Sequence, residues 1–191
     1  MRDVFVIEPA TKILVDDAYI VSYPYLLEYF SSKKLFDAGD VVRGAHMVYG
    51  WMPTILELDK KQGNAGLNVA AQTLMKAKMG VVLDCKEIEG LALLVNNSIV
   101  GASKLLHFVA PTQYPIWDSK VYSFVHERRP YHYRVNSAEK YKKYVQLLKE
   151  LAIKPEFHRF HGSVQNKLGY NVSSMRSLEL VMFLNAPVYE G

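Results

Sequence analysis

The stretch Leu93-Leu94-Val95-Asn96-Asn97-Ser98-Ile99-Val100-Gly101-Ala102-Ser103-Lys104-Leu105-Leu106-His107-Phe108-Val109-Ala110-Pro111-Thr112-Gln113-Tyr114-Pro115-Ile116-Trp117-Asp118-Ser119-Lys120-Val121 sets the fold class. It reads as a helix, a short turn closing on Gly101, a second helix from about Ala102, and an extended link punctuated by Pro111 and Pro115. Asp118 then stands where a further helix begins. An aspartate there accepts backbone N–H bonds and is stabilised in its charged form by the helix N-terminus.

Outward from this passage the pattern stays helical. Helices are predicted at 16–32, 39–58, 66–82, 86–97, 102–110, 119–128, 137–152 and 173–185, after a short strand at Val4 to Ile7. Val69, Ala70, Thr73, Leu74, Ala77 and Val81 recur at helical spacing, as do Ile88, Leu91, Ala92 and Val95, so both segments turn a face to a core. Asn136 with Glu139 reads as a capping-box start for a helix whose buried stripe is Tyr141, Tyr144, Val145, Leu148 and Ala152. Pro24 and Pro53 fall inside helical patterns and are expected to kink or break them. No repeat, linker or low-complexity tract divides the chain. The expectation is a mostly α, compact single-domain helical bundle over 1–191, with a helix-hairpin-helix-like element and a short N-terminal strand.

Composition narrows the classes further. With 191 residues, half of them apolar and 22% charged, the chain buries a sizeable core without a staple. The lone Cys85 cannot form an internal disulfide, and the apolar run after Met1 is too short for a signal peptide, which points to the cytoplasm. No apolar run reaches the ~18 residues of a membrane span, so no membrane partner is expected. His158 and His161 lie three apart, but no cysteine or carboxylate pair completes a metal site, and no glycine loop or nucleophile elbow implies a cofactor.

Charge is uneven along the chain. Residues 118–170 carry a net +6 and the remainder a net −2, for a total of +4. The basic segment also holds nine phenylalanines and tyrosines. Cations interleaved with stacking rings suit a polyanion with exposed bases, so nucleic acid, DNA first, is the expected partner. Arg128-Arg129-Pro130 suits a phosphate clamp or, equally, a helix C-terminus. His46 to Leu56 reads as core, with Trp51 as a candidate pocket residue.

Residues 93–121 resemble the active-site region of the helix-hairpin-helix DNA glycosylases. Ser98-Ile99-Val100-Gly101 stands at the hairpin, Lys104 on the following helix, and Tyr114-Pro115-Ile116-Trp117-Asp118 at the Pro-containing link and its aspartate. The resemblance implies that hairpin amides hold a DNA phosphate, that the Lys104 amine attacks a sugar C1′ to displace a damaged base, and that Asp118 assists. Asn97-Ser98 replaces the family's usual Pro-Gly, and Ser103 stands where its lysine usually does. The candidate site is therefore Lys104 and Asp118 as catalysts, Gly101, Ser103, Lys120, Arg128, Arg129 and Arg134 as nucleic-acid contacts, and Trp51 and Trp117 as pocket walls. Two bland alternatives stay open for the pair, a structural cap for Asp118 and a surface lysine for Lys104. Two stay open for the chain, a non-catalytic nucleic-acid module and a helical protein-interaction protein of phage or mobile-element origin.

Overall fold

The computed structural model describes residues 1–59, 61 and 63–189. Of the described residues, 66% are helical and none forms a strand. The helices are α1 (Val4–Ile7), α2 (Ala18–Ser32), α3 (Ala38–Trp51), α4 (Gly63–Lys78), α5 (Cys85–Leu94), α6 (Ile99–Val109), α7 (Ser119–His126), α8 (His132–Val135), α9 (Ala138–Ala152), α10 (Phe157–Leu168) and α11 (Ser174–Leu184). No described helix is long and apolar enough to cross a membrane.

Two buried helices organise the bundle. Nine of the eleven residues of α6 are buried, as expected of a helix that is apolar all round. It packs against α2, α3, α4, α5 and α9. Eight residues of α11 are buried, and this helix packs against α1, α7, α9 and α10. The chain thus builds one group of helices around α6 and a second around α11, with α9 touching both.

Several sequence expectations change. Val4–Ile7 is a helical turn rather than a strand, because Asp3 caps it by accepting the Phe5 N–H at 2.9 Å and Phe5 packs edge-on against Phe160. Helix α3 stops at Trp51, well short of 58, since Pro53 has no N–H with which to continue. Val69 is exposed on α4, and Val81 lies beyond that helix and is exposed too. Ser137, not Asn136, caps α9. Helix α10 is an addition to the expected set, although Phe157, Phe160, Val164 and Leu168 form a clear buried stripe.

The α5–α6 connection also moves. The turn occupies residues 95–98, with Asn96 and Asn97 both left-handed at φ 57° and 48°, and Gly101 lies inside α6. Asparagine tolerates that backbone because its short polar side chain bonds locally. Asn96 is gripped by the extended segment after α3: its side chain accepts the Glu57 N–H at 2.8 Å and donates to the Ile55 carbonyl at 3.0 Å. Asn136 ties down the other side, accepting the Ile99 N–H at 2.7 Å and donating to the Asn97 carbonyl at 3.0 Å.

Candidate active site

Where the α6 and α11 groups meet, a pocket of about 710 Å³ opens, within the range of small-ligand sites. Lys104 reaches it from α6, Asp118 and Lys120 from the start of α7, and Arg176, Glu179 and Phe183 from α11, while Tyr19 and Trp51 form its aromatic wall. Lys104 and Asp118, fourteen residues apart, thus share one cavity. The link through Pro111 and Pro115 folds back on α6 because Ser103 bridges the two: its hydroxyl accepts the Trp117 N–H at 3.1 Å and lies 2.8 Å from the Val100 carbonyl.

Lys104 is half-buried, with its ammonium 5.7 Å from the centre of the Trp51 ring. Burial lowers the pKa of its amine, Asp118 and then Glu179 pull it back up, and Arg176 lowers it again. No hydrogen bond or ion pair joins the Lys104 ammonium to another described residue. Asp118 is buried and caps α7, accepting the Val121 N–H at 2.9 Å. An amine that sheds its proton more readily than in water, next to a fixed carboxylate, has the chemistry of a nucleophile.

Arg176 and Glu179, one helical turn apart on α11, form a hydrogen-bonded ion pair that is almost wholly buried. Burial pushes the Glu179 carboxyl up to about 7, against the pull of Arg176. The Arg176 guanidinium lies 4.7 Å from the centre of the Tyr23 ring. Tyr23 donates its hydroxyl to His107 Nε2 at 2.7 Å, since His107 Nδ1 must donate to the Tyr114 carbonyl, also at 2.7 Å. Burial, followed by the nearby Arg176, takes His107 down to about 3, so the imidazole is neutral. Neither Arg176 nor Glu179 is among the sequence candidates. Their signal is nonetheless present in the chain: two opposite charges three apart in an otherwise apolar segment, which only a buried pair or a site tolerates.

The remaining sequence candidates fall in two other places. Gly101, Ser103 and Trp117 lie in the core. A Cβ on Gly101 would stand 2.1 Å from the Tyr49 hydroxyl, so this glycine makes room for a tyrosine. Its N–H is taken by Ser98 Oγ at 3.1 Å, and that of Ile99 by Asn136, so these amides at the start of α6 are engaged internally. Trp117 is fully buried, its indole N–H donating to the Val135 carbonyl at 2.8 Å; its neighbour Ile116 lines the pocket instead. Arg128, Arg129 and Arg134 lie past the far end of α7, about 12 Å of helix from Asp118. Among the described residues no cluster of histidines, cysteines and carboxylates could hold a metal ion.

Comparison of the chain with protein-family models, with curated proteins and with solved structures returned no match.

Proposed function

We propose that this is a nucleic-acid-binding, DNA-glycosylase-like protein in which Lys104 and Asp118 cleave the N-glycosidic bond of a damaged nucleotide. The observation that carries the reading is a desolvated lysine amine in an aromatic-walled pocket with a helix-capping carboxylate. A pocket of about 710 Å³ has room for an extruded nucleobase and its sugar. Lys104, as the free amine, attacks C1′; the C1′–N bond breaks and its electron pair leaves with the base. Asp118 accepts the proton that the new ammonium releases and steadies positive charge on the sugar. Phosphates are held by cationic side chains at the mouth, Lys12 and Lys120, in place of the hairpin amides.

Borohydride trapping on oligonucleotides bearing damaged bases or abasic sites tests this, because only a lysine that has formed a Schiff base is covalently trapped. Wild type is expected to give an adduct, Lys104→Ala none, and Asp118→Asn a base-release rate lower by at least about a hundredfold with binding retained. Asparagine is itself a good cap, so the last variant separates chemistry from folding. That Asp118 acts on the Lys104 amine only through its charge, with no hydrogen bond or ion pair between them, favours a second reading, a module that binds without chemistry. Binding with no adduct on any substrate would establish the second and remove the first.

A further inference from the structure

Beyond the pocket, the segment after α7 carries an exposed aromatic pair. Tyr131, the residue before α8, has extended backbone, Tyr133 lies in the first turn of α8, and their rings stack against each other at the surface. Their rings are parallel within 8°, with centres 5.8 Å apart, and they are 43% and 69% exposed. Guanidinium groups border them: Arg129 lies 5.3 Å from the Tyr131 ring centre, and Arg134 lies 5.0 Å and 5.5 Å from the two. Cation–π contact holds these arginines beside the rings without neutralising them. The nearby carboxylates are engaged elsewhere, Glu127 with the Met1 amine at 2.9 Å and Glu139 with Lys143 at 2.6 Å. Positive charge and aromatic surface are therefore exposed together, with Arg128 exposed alongside, and an incoming base reaches the rings by taking the place of a guanidinium on a ring face.

We infer that Arg129, Tyr131, Tyr133 and Arg134 form a platform for unpaired bases of a single-stranded nucleic acid. This rests on the reading above only for its class of partner, and assigns the strand state and a contact surface separate from the pocket. The chemistry discriminates between strand states. A duplex shows the outside of the patch its phosphates and base edges but not base faces, whereas every unpaired base has a face that can stack on tyrosine. The guanidiniums would serve either form, and the parallel rings serve only the unpaired one.

The test is fluorescence anisotropy with a labelled single-stranded 20-mer and with the same strand in duplex. The double variant Tyr131→Ala/Tyr133→Ala should lose at least about tenfold in single-strand affinity while its duplex affinity changes less than about threefold. Its salt slope should be unchanged, because no charge is removed. Tyr131→Phe/Tyr133→Phe should keep wild-type affinity, since stacking needs the ring and not the hydroxyl. Arg129→Ala/Arg134→Ala should weaken both forms and flatten the salt slope. None of the four side chains is buried, and circular dichroism of each variant is the check that it folds. Equal loss on both nucleic acids in the tyrosine-to-alanine variant, or no loss, overturns the platform while leaving the trapping result for Lys104 untouched. An intact tyrosine effect with no trapped adduct would do the reverse.

Discussion

Gly101 reads in the sequence as the end of a phosphate-binding hairpin, and its surroundings give it a steric role. A glycine inside a helix costs about 1 kcal/mol relative to alanine, so its presence in α6 needs a compensating reason. Tyr49 supplies it: the ring packs on the bare backbone, and its hydroxyl donates to the Val95 carbonyl at 2.9 Å, pinning the ring to the turn before α6. Gly101→Ala should therefore destabilise the protein by about 1–3 kcal/mol through overpacking, despite the better helix propensity. A urea unfolding midpoint that falls with unchanged slope, alongside unaltered nucleic-acid affinity of the folded variant, is the expected outcome; lost affinity at full stability would restore the phosphate role. The same distinction marks what is legible at this scale. Lys104 and Asp118 stand out because a lysine on an apolar helix and a cap after two prolines are local patterns. Which candidates lie inside the core, as Ser103 and Trp117 do, depends on contacts with residues far along the chain, among them Val135 and Tyr144.

Pro24 shows how an element can survive a residue that should end it. Proline lacks the N–H that would bond the carbonyl four residues earlier, here that of Ile20, yet α2 continues through it from Ala18 to Ser32. The Tyr170 hydroxyl, arriving from beyond α10, donates to that carbonyl at 3.0 Å. Local propensity argues for a kink or break, and a partner 150 residues away supplies the missing donor. Tyr170→Phe should cost about 1–3 kcal/mol by leaving the carbonyl unpaired. In a Pro24→Ala background the same change should cost less than half as much, because the alanine N–H restores the helical bond. A double-mutant cycle in chemical denaturation measures that coupling, and additive losses would mean that the hydroxyl does not replace the proline's missing donor. Elsewhere the helices are largely readable where apolar spacing is dense, as in α4, α5 and α9. Their ends are not, because caps such as Ser137 and the left-handed pair Asn96 and Asn97 are settled by single hydrogen bonds rather than by periodicity.

Across the whole molecule, one buried polar row joins the two helix groups. Glu179 pairs with Arg176 on α11, Arg176 sits over Tyr23 of α2, and Tyr23 bonds His107 of α6. The two titratable ends of this row respond to pH in opposite senses. Glu179, raised in the fold from 4.5 to about 7, binds its proton more tightly folded than unfolded; its contribution is complete below pH 4.5 and is lost as pH rises to about 7. His107, lowered from 6.5 to about 3, contributes fully above pH 6.5 and loses that contribution as pH falls toward 3. Between pH 4.5 and 6.5 the two slopes oppose each other at about 1.4 kcal/mol per pH unit each. The exposed His126 and the half-buried His161, also lowered, add a smaller rise toward 6.5. Wild-type stability should thus change little across this window. Of the groups facing Glu179, Arg176, Asp118 and Lys104 act on it as charges, while Tyr23 and Tyr144 stay neutral because burial raises their hydroxyls. Glu179→Gln removes only the falling slope. Its stability relative to wild type should climb by about 1.4 kcal/mol per unit from pH 4.5 to 7 and be level outside that range. Urea titrations of both proteins at half-unit intervals measure the difference directly. A difference that is constant across the window would mean that Glu179 is ionised in the folded protein at all these pH values, with Arg176 rather than burial governing its charge.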